Sequence, residues 1–283
     1  MAGIGVICEH AAFSVRDASS MIKPVLIDGR YGRMMVNPND VYIGRSLVKY
    51  GEFSPVEAQF YNSIVRPGQT VIEAGANLGC FTLQFAQLVG PNGRVLAFEP
   101  QRQVFQMLCG NLALNGISNT ETWQAALGSE PGQLIVPVAN FDAPGNFGGV
   151  SVAEQGKGDV VPSITIDSLG LNACHLIKAD VEGMEREVLL GARQTIAEFQ
   201  PLLYLENDRR EKSPDLIRLI QEMDYSAYWH LPTMFSPNNY RGDTENVFGN
   251  ILSVNVLCLP RDNKFVLKQF KKIEGPNDWW RSS

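Results

Sequence analysis

The run Glu73-Ala74-Gly75-Ala76-Asn77-Leu78-Gly79 stands where a short apolar stretch, TVIEA, passes into a helical pattern. Glycines at such a hand-over permit positive φ and let a ligand approach the backbone closely. The spacing is G-x-N-x-G, without the third glycine of a dinucleotide fingerprint or the Lys-Ser/Thr ending of a phosphate loop, so neither a pyrophosphate nor a triphosphate suits it. Glu99 follows about 20 residues on, where a carboxylate can accept hydrogen bonds from both hydroxyls of a ribose. Together these features point to a nucleoside without an anionic tail. S-adenosylmethionine, with its sulfonium, ammonium and carboxylate, meets that description. Glu73 is placed to favour the cationic part, and the segment from Gly75 to Gly79 makes room for the methionine.

A second titratable group, Lys178-Ala179-Asp180-Val181-Glu182-Gly183, closes another apolar run. Transfer of a sulfonium methyl requires an aligned nucleophile and exclusion of water. An alcohol acceptor also needs a base, and a carboxylate among apolar strands can have its pKa raised toward working pH. Asp180 is the first candidate for that base, with Glu182 and His230 as rivals. Glu182 would equally serve the positive end of the helical run that follows it. His230, after Tyr228-Trp229, would equally be a half-buried residue satisfied by backbone. Asp180, Glu206 and Asn207 could bring oxygen ligands together for Mg²⁺, but no metal is assigned.

These groups need a scaffold that gathers them at one end. Apolar runs Thr70 to Ala74, Arg94 to Glu99 and Glu121 to Leu127 alternate with helical patterns over Leu78 to Val89 and Arg102 to Leu114. The alternation resumes with a strand from His175 to Asp180, a helix from Met184 to Phe199, a strand from Pro201 to Glu206 and a helix from Pro214 to Met223. Two more apolar runs, Tyr225 to Leu231 and Ile251 to Leu259, complete it. Such alternation predicts an α/β fold of parallel βαβ units with helices on both faces. Ahead of it, Ser54 as N-cap, Pro55 at the first helical position and Glu57 as capping-box partner predict a helix up to Val65. Residues 128–165, rich in Gly, Pro, Asn and Val, are expected to form hairpins or an irregular insertion. Residues 1–53 are read as an N-terminal extension or cap of short strands and turns, and 54–283 as the main domain.

Of 283 residues, 45% are hydrophobic and 19% charged, which excludes a disordered tail protein, a collagen-like fibre or a coiled coil. The net charge of −6 disfavours nucleic acid as a partner. No apolar run reaches the length of a membrane span, and no signal-peptide pattern opens the chain, so a cytoplasmic protein with no membrane partner is expected. Cys8, Cys80, Cys109, Cys174 and Cys258 are scattered and are read as buried thiols. His10 and His175 are assigned to structure. Trp229, Phe235, Tyr240 and Phe248, with Asn238, Asn239, Asn246 and Asn250, would suit a lid over a neutral polyhydroxylated or macrocyclic acceptor. Trp279 and Trp280 are candidates for a homo-oligomer contact.

The chain resembles the FkbM-type S-adenosylmethionine-dependent methyltransferases in six ordered stretches: RPGQTVIEAGANLGCFTLQFAQLVGPNGRVLAFEPQ, NLALNG, AALG, IKADVEGMEREVLLGA, PLLYLEN and the late loop with VNVLCLP. The resemblance implies a Rossmann-like class I fold: a seven-stranded, mostly parallel sheet whose last strand, Ile251 to Leu259, is antiparallel. It implies S-adenosylmethionine as methyl donor. Gly75, Asn77 and Gly79 would line the methionine part, Glu99 would hold the ribose, and Gln124 and Ala125 would flank the adenine; Glu73, Ala76, Pro100 and Asp180 complete the expected cofactor-binding set. Glu73 departs from the Asp more usual in the family, with the same charge on a longer side chain. The implied activity is O-methylation of a small natural-product or sugar hydroxyl. A nicotinamide-dependent oxidoreductase and a non-catalytic cofactor-binding module stand as the alternatives.

Overall fold

The computed structural model describes residues 23–152, 155–263 and 269–281. Cys8 and His10 lie outside them. Strands β1 (Val25–Gly29) and β2 (Gly32–Val36) pair as a hairpin, followed by helices α1 (Ile43–Tyr50) and α2 (Pro55–Ile64). Next come β3 (Thr70–Ala74), α3 (Cys80–Val89), β4 (Arg94–Phe98), α4 (Arg102–Leu114) and β5 (Thr120–Trp123). Strands β6 (Ala126–Leu127), β7 (Gly132–Val136) and β8 (Asp159–Ile164) form a separate small sheet. The alternation resumes with β9 (Leu176–Ala179), α5 (Glu185–Leu190), α6 (Arg193–Phe199), β10 (Leu202–Glu206), α7 (Ser213–Glu222) and β11 (Tyr225–His230). It closes with β12 (Asn255–Pro260) and the two-residue β13 (Lys271–Lys272).

The large sheet runs β13-β11-β12-β10-β9-β3-β4-β5. Pairing is parallel from β5 through β10, and β12 is antiparallel to both β10 and β11. The sheet is therefore α/β and mostly parallel, with the antiparallel strand where it was expected and β13 as an extra eighth edge. The chain first builds outward from β3 to β5 and then crosses back to β9, so strand order reverses between β3 and β9. In an open α/β sheet that crevice is where a ligand binds.

Period-two side-chain alternation gives the sheet two apolar faces. Ile72, Leu96, Ile177, Leu203 and Val256 join one core with α5, α6 and α7. Val71, Val95, Leu176, Tyr204 and Leu257 join the other with α2 and α3. Full burial of a side chain of this size contributes about 1.5–3 kcal/mol, and the continuous Val, Ile and Leu runs of the central strands follow from covering both faces.

Four local expectations differ from the structure. The run Glu121 to Leu127 is not one strand: β5 joins the large sheet and β6 pairs with β8, with Gln124 and Ala125 between them. Met184 to Phe199 divides into two helices because Gly191 packs against the Gly128 carbonyl, where a Cβ would come within 2.0 Å. Asp167 stabilises the restart, its carboxylate accepting from the Gln194 and Thr195 N–H groups at 3.0 and 2.8 Å. Ser54 makes no side-chain cap to the helix backbone; it sits at φ 42 and its hydroxyl donates to Glu57. Finally, α1 escaped the sequence pattern because it is short and contains Gly44 and Val48, poor helix formers; Leu47 and Tyr50, buried by the rest of the chain, hold it.

The hairpin is bonded to α4: Asn111 takes the Met35 N–H and donates to the Met35 carbonyl, and Asn115 does the same with Arg33. Cys174 and Cys258 are buried free thiols, whereas Cys80 and Cys109 are half-buried. His175 Nδ1 accepts from the Thr70 N–H, a structural contact. Trp279 stands edge-on to Trp229, their centroids 5.6 Å apart, within the same chain.

Candidate active site

The carboxyl ends of β3, β4, β9 and β10 open into a cavity of about 240 Å³. Glu73, Gly75, Ala76, Asn77, Glu99, Asp180 and Glu182 line it, so the two groups singled out in the sequence converge. A recess of about 40 Å³ adjoins it, sharing Gly75, Glu99 and Asp180 and adding Pro100, Ala125 and the apolar side chains of Leu127 and Met184. Gln124 and Gly79 are not among the lining residues of either space. Gly79 instead begins α3 at φ 96, packed under Leu108.

Gly75 is required for backbone reasons: at φ 76 its missing Cβ would stand 1.9 Å from the Asp180 carbonyl. This contact brings the turn after β3 against the end of β9. The turn is anchored on its other side by the Gly75 and Ala76 N–H groups, both donating to the Phe98 carbonyl at 2.9 Å. Glu99 is buried, with Oε2 accepting from the Asn77 N–H at 2.9 Å and Oε1 from the Gln101 N–H at 2.8 Å. Each oxygen keeps a second lone pair for a ligand hydroxyl. Burial nevertheless pushes the Glu99 carboxyl up to about 7, against those two backbone donors.

On the α2–α3 side of the sheet Glu73 belongs to a set of buried charges whose other members, Lys178 and Glu57, have no site role in the sequence reading. Lys178 is paired with Glu73 across β3 and β9, and both are almost wholly buried. The Lys178 ammonium lies 4.0 Å from Glu73 and 3.4 Å from Asp180 Oδ2, and over the Phe81 ring. Burial acts to lower its pKa, but Asp180, Glu73 and Glu57 outweigh that and hold it above the ordinary value, so it is a cation. Glu73 accepts from the Thr82 hydroxyl, and Glu57 from the Tyr61 and Ser54 hydroxyls. Burial pushes both carboxyls up to about 7, with Lys178 opposing. The available signal was position: Lys178 lies two residues before Asp180 on one face of a strand. Glu57 was read as a helix cap, and only the fold turns it inward.

Asp180, Glu182 and Glu206 each offer a carboxylate oxygen within 4.8 Å of the others. Arg209 donates to both Glu182 and Glu206, the latter at 3.4 Å, and so supplies an internal cation to the cluster. Asn207, placed beside Asp180 and Glu206 on sequence grounds, turns away and donates to Ser213 at 2.9 Å. Glu182, at φ 58, belongs to the turn rather than to the helix start. The helix-start role falls to Glu185, whose Oε1 accepts from the Val181 and Gly183 N–H groups.

His230 is not brought to the cavity. It is buried against Phe60 and Phe270, and its Nδ1 lies 2.7 Å from the Tyr204 hydroxyl. That hydroxyl accepts from Asn255 Nδ2, which leaves its proton for His230. Burial pushes the imidazole down to about 4, so it is neutral at ordinary pH. Of the anticipated lid, Phe235 and Phe248 pack on Tyr50, and Asn239 and Asn246 bond within their own loop. Met234 and residues 252–255 face the cavity instead.

A mostly parallel sheet with an antiparallel strand, and a cavity at its switch point built on a glycine turn and an acid, define a Rossmann-like class I methyltransferase fold. The family model for the methyltransferase FkbM domain matches residues 73–227, more than half of the chain, and the protein belongs to that family. It is 30% identical over 204 residues to methyltransferase sdnD of Sordaria araneosa, covering 56% of this chain and 78% of that one. It is 28% identical over 147 residues to methyltransferase 1 of Beauveria bassiana, covering 43% and 57%. The solved structure of methyltransferase FkbM from Methylobacillus flagellatus is 19% identical with a TM-score of 0.45. That match covers 72% of this chain and only 50% of the other. No helix among the described residues is long and apolar enough to cross a membrane.

Proposed function

We propose that this chain is an S-adenosylmethionine-dependent O-methyltransferase acting on a hydroxyl of a small natural product or sugar. The observation that carries the cofactor is Glu99, a buried carboxylate held by the Asn77 and Gln101 N–H groups where the two cavities join. Its remaining lone pairs suit the two ribose hydroxyls. Pro100, Ala125, Leu127 and Met184 form an apolar slot beside it that suits an adenine ring. The segment Gly75-Ala76-Asn77 and the acidic Glu73 and Asp180 then border the sulfonium end, the sign of charge a cation favours.

S-adenosylmethionine supplies an activated methyl group. The chain's own part is to hold the acceptor in line with it and remove one proton. Asp180 Oδ2, beside the Lys178 ammonium and partly open to the cavity, accepts the hydroxyl proton as the new carbon–oxygen bond forms. Met234 and Leu252 supply apolar side chains to the wall of the same space. A small uncharged acceptor, rather than nucleic acid, follows from the acidic lining and the net charge of −6. The same reading places the enzyme in the cytoplasm and leaves a homo-oligomer open to sizing measurements.

Calorimetric titration with S-adenosylmethionine and S-adenosylhomocysteine, with NAD as control, tests the cofactor. Micromolar binding of the first two and none of NAD is expected; silence for both adenosyl ligands overturns the reading.

A further inference from the structure

Asp180, Glu182 and Glu206 meet at the cavity with the ligand type and spacing of a divalent-cation site, one oxygen of each lying within 4.8 Å of the others. Each of these carboxylates is nevertheless bonded to a cation of the chain itself. Asp180 Oδ2 lies 3.4 Å from the Lys178 ammonium. Arg209 donates to Glu182 through Nη2 and to Glu206 through Nη1, the latter at 3.4 Å. Three carboxylates thus face two fixed positive charges, and a metal ion would have to overcome the repulsion of both. Burial and the neighbouring carboxylates also push Glu182 and Glu206 upward, the direction in which a proton competes with a metal ion for its ligand.

The turn after β9 is shaped to admit the guanidinium. Arg209 comes from behind the cavity wall: it lines a separate recess with Lys212, while Glu182 and Glu206 face the cavity. Its Nη1 also donates to Asp208 at 2.8 Å, and Lys212 Nζ donates to the Gly183 carbonyl at 2.8 Å. Both side chains cross the turn at Gly183, where φ is 95 and a Cβ would stand 2.7 Å from Arg209 Cδ and 2.9 Å from Lys212 Nζ. A guanidinium, planar and with donors on two arms, can hold two carboxylates at once where an ammonium is a single point of charge.

We propose that Arg209 is the resident counter-ion of this cluster, taking with Lys178 the place that a divalent metal would fill, so that Asp180 works as base without one. Arg209 is a positioning residue, acting through Glu182 and Glu206 and not on the reacting atoms. Its part in methyl transfer rests on the reading above; the exchange of guanidinium for metal does not.

The experiment is calorimetric titration of Mn²⁺ into chelator-treated protein: the unaltered chain, Arg209→Met, Arg209→Lys, and Arg209→Met combined with Glu206→Gln. Removal of one fixed charge from the cluster is expected to tighten Mn²⁺ binding about tenfold or more. Arg209→Lys should stay close to the unaltered protein, and the double variant should lose the gain, because a merely structural disturbance does not create a cation site that depends on Glu206. Equal Mn²⁺ affinity in the unaltered protein and Arg209→Met overturns the proposal, as does a gain that survives Glu206→Gln. Should the Arg209 variants fail to fold, the unaltered protein decides: a single Mn²⁺ site of about 100 μM or tighter that Glu206→Gln removes overturns the proposal, and its absence supports it. Methyl transfer lost on chelation and restored by a divalent ion overturns it as well. Silence of the unaltered protein toward both adenosyl ligands is a separate result, which removes the cofactor reading and leaves the Mn²⁺ comparison standing.

Discussion

The Asn77 N–H donates to Glu99 Oε2 at 2.9 Å, tying the turn after β3 to the acid at the end of β4. One contact thus sets both the glycine turn and the carboxylate that would take a ribose. Glu99→Ala removes the ligand's two acceptors and the anchor of the turn. S-adenosylhomocysteine binding is expected to weaken by about 1–3 kcal/mol. Unchanged affinity in calorimetry would show that the ribose lies elsewhere.

Proton uptake gives an independent view of the same groups. Burial holds Glu73 and Glu99 near 7. In the free protein a carboxyl so raised binds its proton more readily than in the unfolded chain, so its contribution to stability falls as pH rises from about 4.3 toward 7. A diol and a cation both favour the ionised form. Binding of S-adenosylmethionine is therefore expected to release protons near neutral pH and to tighten from about pH 6 to about pH 8. Calorimetry in buffers of different ionisation enthalpy measures the release; identical enthalpies in all buffers would contradict it.

Asp180 and Glu99 border the same cavity but are assigned different work. Asp180→Asn keeps the size and most of the polarity of the side chain while removing the proton acceptor. Binding of S-adenosylhomocysteine, which carries no sulfonium charge, should be spared, and methyl transfer from labelled S-adenosylmethionine to a hydroxylated acceptor should drop about 100-fold or more. A variant that retains full turnover would return the role of base to another residue.

For His230 the expectation is the reverse. It bonds Tyr204 away from the cavity lining and is neutral. His230→Phe should lower the melting temperature while leaving kcat within about threefold, the loss coming from one buried hydrogen bond of about 0.5–1.5 kcal/mol. A large fall in kcat with an unchanged melting temperature would place the imidazole in the reaction.

Much of the scaffold was legible because it depends on local pattern. The apolar runs and their helical partners gave β3, α3, β4, α4, β9, β10 and β12 within a few residues, since period and turn chemistry act over short stretches. The misreadings arose where a distant contact overrides local preference. Gly191 meets Gly128 and Asp167 caps α6, so a run that looks like one helix becomes two.

The site divides in the same way. Gly75, Asn77, Glu99 and Asp180 stand at strand ends, and in a parallel sheet strand ends gather at one edge, so sequence order alone was enough to bring them together. Whether a side chain then faces the cavity depends on what packs behind it. Glu57 is turned inward by Tyr61 and Ser54, Asn207 is turned away by Ser213, and His230 is held by Tyr204. Lys178 draws its charge from carboxylates on three separate elements, a balance of burial and Coulomb attraction that exists only once the chain has folded.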